Sequence, residues 1–161
     1  TQRYMVRRDV IETVGAWNTE TFGWDDWELG IRLMLYTSRI VKAESSEPQV
    51  IVHAHADSIT GTQYSDKVDK LLACVDEAEK HVRASGRRDA DILLNCLDYK
   101  KIVLASACRR EGSMRGEQLF HDVLRGIPSR KVKAVFVSGY WLASRGVRGT
   151  ARVAERLFRL F

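Results

Sequence analysis

Gly23-Trp24-Asp25-Asp26-Trp27-Glu28-Leu29-Gly30-Ile31-Arg32-Leu33-Met34-Leu35-Tyr36 is the stretch on which the reading of this chain turns. Trp27, Ile31 and Leu35, joined by Leu33 and Met34, recur at helical spacing, which predicts a helix over residues 25–36. Asp25, Asp26 and Glu28 fall in its first turn, where carboxylates meet the positive end of the helix dipole. A carboxylate held there stays ionised, because the dipole and the amide donors favour the charged form. Two tryptophans flank the pair, and aromatic rings stack on sugar faces. An ionised carboxylate that accepts a proton from a hydroxyl is what sugar transfer asks of its base. The bland alternative is that Asp25 and Asp26 only cap the helix.

Upstream, residues 8–14 read as a short helix with Val10, Ile11 and Val14 on one face and Gly15 closing it. Residues 16–21 read as a polar loop. Downstream, 39–44 and 49–55 read as two short strands joined by a turn over 45–48. His53 and His55, two apart on the second strand, would share a face. Two such imidazoles can bind a metal or can be a hydrogen-bonded pair at a strand edge.

Past residue 62 the pattern is helical throughout. Helices are predicted over about 66–84, 89–109, 114–125, 129–143 and 150–160, with breaks at Ser85-Gly86, Glu111-Gly112-Ser113, Gly126 to Pro128, and Gly146 and Gly149. The resulting division is a small α/β segment over 1–62 and a helical extension over 63–161. The expected fold class is therefore α/β, mostly α.

The 161 residues carry a net charge of +5, unevenly placed. Residues 130–161 hold eight Lys or Arg against one acid, Glu155, a net +7, so residues 1–129 sum to −2. Such a basic tail suits an anionic lipid surface, a nucleic acid or an acidic partner. No recognised nucleic-acid motif accompanies the charge, so nucleic acid is not expected. The three cysteines, Cys74, Cys96 and Cys108, form no C-x-x-C pair and read as free thiols in apolar helix faces, which fits a reducing cytoplasm. No run of about 18 apolar residues predicts a membrane span. The start Thr1-Gln2-Arg3, without Met, reads as a fragment or a processed product.

Four pieces stand in order: Met5-Val6-Arg7-Arg8-Asp9-Val10, Val14-Gly15-Ala16-Trp17-Asn18, Phe22 through Leu33, and Glu47-Pro48 followed by Val52-His53-Ala54-His55-Ala56-Asp57-Ser58-Ile59-Thr60. Together they resemble the C-terminal half of family 2 glycosyltransferases of the GT-A fold. The resemblance spans about residues 3–62. It implies an inverting transfer of sugar from a nucleotide-sugar donor to a hydroxyl of a saccharide or lipid-linked acceptor, as in cell-surface polysaccharide or glycolipid synthesis.

By position, the resemblance makes Asp26 the general base and gives Asp25, Trp24 and Trp27 the acceptor site, with Asp25 standing where Glu is usual. It makes His55 a ligand of the divalent metal, Mg2+ or Mn2+, that holds the donor diphosphate. His53 stands where arginine is common, so its role is open. Arg32 is expected to pair with a helix acid and not to touch substrate. The family's nucleotide-binding half, a βαβ unit and a D-x-D strand, is not found. Asp89-Ala90-Asp91 matches D-x-D by letters only, after the base and in a helical context. The chain alone is thus expected to bind nucleotide sugar weakly and to be inactive by itself.

The tail combines its charge with Trp141, Leu142, Leu157, Phe158, Leu160 and Phe161. Basic amphipathic helices of this kind can lie on anionic membranes, and the bland alternative is a solvated basic face over an ordinary core helix. The expected location is the cytoplasm, with the inner face of the plasma membrane as the surface such a tail would meet. The alternative function is a non-catalytic helical interaction or membrane-associating module.

Overall fold

The computed structural model describes residues 5–37, 40–41 and 63–160. Within them the chain forms α1 (Arg8–Val14), α2 (Asp25–Tyr36), a 3-10 turn (Ser65–Lys67), α3 (Val68–Ala84), α4 (Ala90–Arg110), α5 (Met114–Gly126), α6 (Arg130–Ser144) and α7 (Thr150–Phe158). The described residues contain no strand. The architecture is helix on helix, and the expectation of an α/β, GT-A fold is corrected to all-α for them.

The physical reason is where the apolar faces go. An α/β fold needs a sheet for helices to cover. Here α3, α5, α6 and α7 instead cover α4. Of the residues read as strands, 39, 42–44 and 49–55 lie outside the described residues. The two that are described, Ile40 and Val41, lie in no strand and are 64% and 91% exposed. Short Val/Ile runs carry no periodicity that separates a strand from other structure.

Within α4 residues 102–108 are all apolar or small, and Ile102, Leu104, Ala105, Ser106, Ala107 and Cys108 are buried. Such a helix belongs at the centre of a bundle. Its small residues admit α5 closely. A Cβ added to Gly116 would lie 2.5 Å from the Ala105 carbonyl oxygen and 2.7 Å from the Arg109 nitrogen. On another side, Tyr99 meets Phe136 of α6 and Phe158 of α7, with ring centroids 5.7 and 6.1 Å away. Phe120 of α5 stacks on Tyr140 of α6 at 3.9 Å.

Helix ends follow the punctuation in the sequence. Gly15 closes α1 in the left-handed region, at φ 75°. Ser113 and Ser129 cap α5 and α6 through their hydroxyls. No helix among the described residues is long and apolar enough to cross a membrane.

A second, smaller apolar cluster joins Val75, Ala78 and Val82 of α3 to Leu97 of α4. Trp24, Trp27, Ile31 and Leu35 pack against it. This contact seats α2 on the bundle.

Candidate functional site

The site predicted from sequence lies at the corner between α1 and α2. Two fixtures build that corner. Arg32, in the third turn of α2, reaches back to the end of α1 and donates to the carbonyl oxygens of Val14 (2.6 Å), Gly15 and Ala16 (2.7 Å). Those carbonyls at a helix C-terminus have no partner within their own helix. The same guanidinium forks onto Glu28, at 2.7 and 2.8 Å. Both side chains are buried, and His81 of α3 stands 3.6 Å from the Glu28 carboxylate. Arg32 therefore pairs with a helix acid, as expected, and also ties α1 to α2.

The second fixture is the loop. Asn18 turns it, accepting from the Glu20 amide with its side chain and from the Thr21 hydroxyl with its carbonyl, both at 2.9 Å. This brings Trp17 over the start of α2, where its indole N–H donates to Asp26 Oδ1 at 2.7 Å. Asp26 is thus held by a neutral donor at the head of a helix. Asp25 lies beside it, in the same first turn and half-buried.

Trp24 and Trp27, to which the resemblance gives the acceptor site, lie on the side of α2 that meets the bundle. Their rings meet edge to face, 6.0 Å apart, and pack against the α3–α4 side of the molecule. Between them lies Lys100 of α4, its Nζ 3.7 Å from the Trp24 ring centre and 4.3 Å from that of Trp27. The aromatic residue in hydrogen-bond contact with the Asp26 carboxylate is Trp17, which the motif reading did not single out.

Lys100 was also missed. Burial pushes its ammonium down to about 8 from an ordinary 10.5. The ring faces, which attract cations, hold it in place. A signal was present: Leu93, Leu97, Lys100 and Leu104 form one stripe at helical spacing, and only the lysine is polar. Its neighbour Lys101 faces the other way, to Asp76 at 3.0 Å and Glu79 at 3.2 Å.

His53 and His55 lie outside the described residues. Among the described residues no group of three or more His, Cys, Asp or Glu side chains could hold a metal ion. Asp89 and Asp91 sit at the start of α4. Asp89 is bound by Arg87 at 2.8 and 3.0 Å, and the hydrogen bond from that guanidinium holds its carboxyl below the usual range. This is a local ion pair and not a diphosphate site. Cys74, Cys96 and Cys108 are free thiols.

Comparison of the chain with family models, curated proteins and solved structures finds no match.

Proposed function

We propose that this chain is the acceptor-side, base-bearing part of an inverting sugar transferase, with Asp26 as the base. The observation that carries the reading is the Trp17 indole on the Asp26 carboxylate, at the first turn of a helix locked by the Glu28–Arg32 pair. A base must be ionised, fixed and within hydrogen-bond reach of its proton. The helix start favours the ionised form, and the indole fixes one oxygen. The reading rests on this corner and not on the class of fold, since one chemistry recurs on unrelated folds.

In the step proposed, the acceptor oxygen attacks the anomeric carbon as its proton passes to Asp26. The bond from that carbon to the nucleoside diphosphate breaks, and its electron pair leaves with the diphosphate. Asp25 orients the acceptor hydroxyls, and Trp17 offers the ring face on which a sugar stacks. The nucleotide-sugar donor and its divalent cation are bound by residues other than those described.

The test is acceptor binding by the chain itself, followed by calorimetry and indole emission. Neutral saccharides should bind, and Asp26→Ala should weaken them by about tenfold or more, the worth of a hydrogen bond to a charged group. In a preparation that transfers sugar, Asp26→Asn should lower turnover by about 10²–10⁴-fold, the span of general-base catalysis. Saccharide affinity indifferent to Asp26→Ala, or full turnover in Asp26→Asn, removes Asp26 from the chemistry.

A non-catalytic helical module is the second reading, and the open groove between α6 and α7 favours it.

A further inference from the structure

The tail helices α6 and α7 pack by one face each onto α4, through Phe136, Tyr140, Ala154 and Phe158. Beside that face they leave an open, mostly apolar cavity of about 490 Å³ between them. Tyr99 forms its floor, Val135 and Leu142 one wall, and Val153 and Leu157 the other. That volume falls in the range of about 300–1,000 Å³ typical of small-molecule sites. Val153 on the groove wall and Leu160 just past α7 are exposed, at 60% and 76%.

The rim is cationic. Arg148 lines the mouth. On the helical wheel of α7, Arg152, Arg156 and Arg159 form a stripe adjoining Val153 and Leu160. Arg159 pairs with Glu155 at 2.9 Å. Glu155 is the single acid of residues 130–161, so the tail cannot neutralise its other cations from within.

We propose that the groove between α6 and α7 takes an acyl chain of an anionic phospholipid, docking this face on a negatively charged bilayer. An apolar slot with a guanidinium rim matches a lipid, whose apolar chain and anionic headgroup lie in the same order. Arginine stems can cover apolar surface while their heads reach phosphate. A second copy of this chain is a poor occupant, because a two-fold contact brings identical surfaces together and this one is strongly positive. The proposal uses none of the residues at the α1–α2 corner and stands or falls apart from the sugar-transfer reading.

The experiment is co-sedimentation of the chain with vesicles of phosphatidylcholine alone and of phosphatidylcholine with a minority of phosphatidylglycerol. The chain should pellet much more strongly with the anionic vesicles. Arg152→Glu should lower partitioning by roughly fivefold or more, given the usual attraction per basic residue. At about 1 M salt, where the screening length is only about 3 Å, a fraction should stay bound through the groove. Val153→Asp should abolish that salt-resistant fraction, and because Val153 is exposed the variant should keep its helical circular dichroism.

Absence of binding to anionic vesicles overturns the proposal. So does binding that high salt removes completely, which is adsorption without an inserted chain. A concentration-dependent dimer dispersed by Val153→Asp gives the groove to a second copy and overturns it too.

Discussion

The α1–α2 corner and the α4 bundle are held together by opposite means. The bundle is closed by apolar surface: Phe136, Tyr140, Ile102 and Leu104 are almost completely buried, and the close approach of α5 depends on the absence of a side chain at Gly116. The corner is closed by polar bonds, because α1 has no buried residue. Among the described residues it is fastened by one guanidinium shared by Glu28 and three carbonyl oxygens, and by the Trp17–Asp26 bond. Apolar burial is non-directional and tolerates small shifts. A forked ion pair specifies geometry and fails abruptly when one partner goes. The region assigned a catalytic carboxylate is the one built for fixed geometry.

Single substitutions can break that contrast. Phe136→Ala should cost about 3–5 kcal/mol of global stability, the usual range for a buried phenylalanine, and lower the urea midpoint of the whole transition. Arg32→Leu takes from the fully buried Glu28 carboxylate its forked partner and leaves His81 at 3.6 Å, which should cost about 3–5 kcal/mol, but the damage should stay local. Amide exchange should accelerate over 8–36 while α4 to α6 keep their protection. The pair Glu28→Leu with Arg32→Leu should restore part of the lost protection in α2 but not in α1, whose terminal carbonyls stay without their donor. Equal loss of protection in α4 after Arg32→Leu would make corner and bundle one cooperative unit.

Next in size is a change aimed at the close packing of α5 on α4. Gly116→Val forces a side chain against the backbone of α4 and should cost about 1–3 kcal/mol by overpacking. The cost should appear in thermal unfolding and leave the saccharide binding proposed for the corner untouched. A loss of binding in a folded Gly116→Val protein would mean that bundle strain reaches the site.

The sequence discloses these regions unevenly. Helix limits were legible because glycines mark them: 8–14, 25–36 and 150 onward coincide with α1, α2 and the start of α7. Asp26 in a first turn was legible from spacing alone. The Trp17–Asp26 bond was not, because it spans nine residues across a loop whose path depends on the Asn18 turn and the Arg32 clamp. Trp24 and Trp27 read as a substrate platform because their indoles flank two acids in sequence. Their packing against α3 and α4 is not legible in that spacing, because only tertiary structure reveals it. The α/β expectation came from Val and Ile between 39 and 55, whereas the strongest periodic signal in the chain, from 66 onward, was helical and prevailed among the described residues.

Lys100 gives the smallest effect and the finest test, since it lies where the two regions meet. Its folded pKa, lowered by burial to about 8, lies below the ordinary 10.5. Below pH 8 both folded and unfolded chains hold the proton, and the folded state bears the cost of a desolvated ammonium. Between about pH 8 and 10.5 the unfolded chain holds more protons, so this group makes stability rise with pH, and the rise ends above 10.5. Across that whole window the rise is at most about 3 kcal/mol. The two ring faces, worth about 1–2 kcal/mol to the ammonium, shorten the window from its low-pH end and leave a rise of about 1–2 kcal/mol. Lys100→Met should therefore be more stable than the parent near pH 7, and the gap should close by pH 10.5 in urea unfolding. A gap constant across that window would mean the ammonium between Trp24 and Trp27 is fully compensated by the rings. The contact between corner and bundle would then be a cation–π joint and not a strained one.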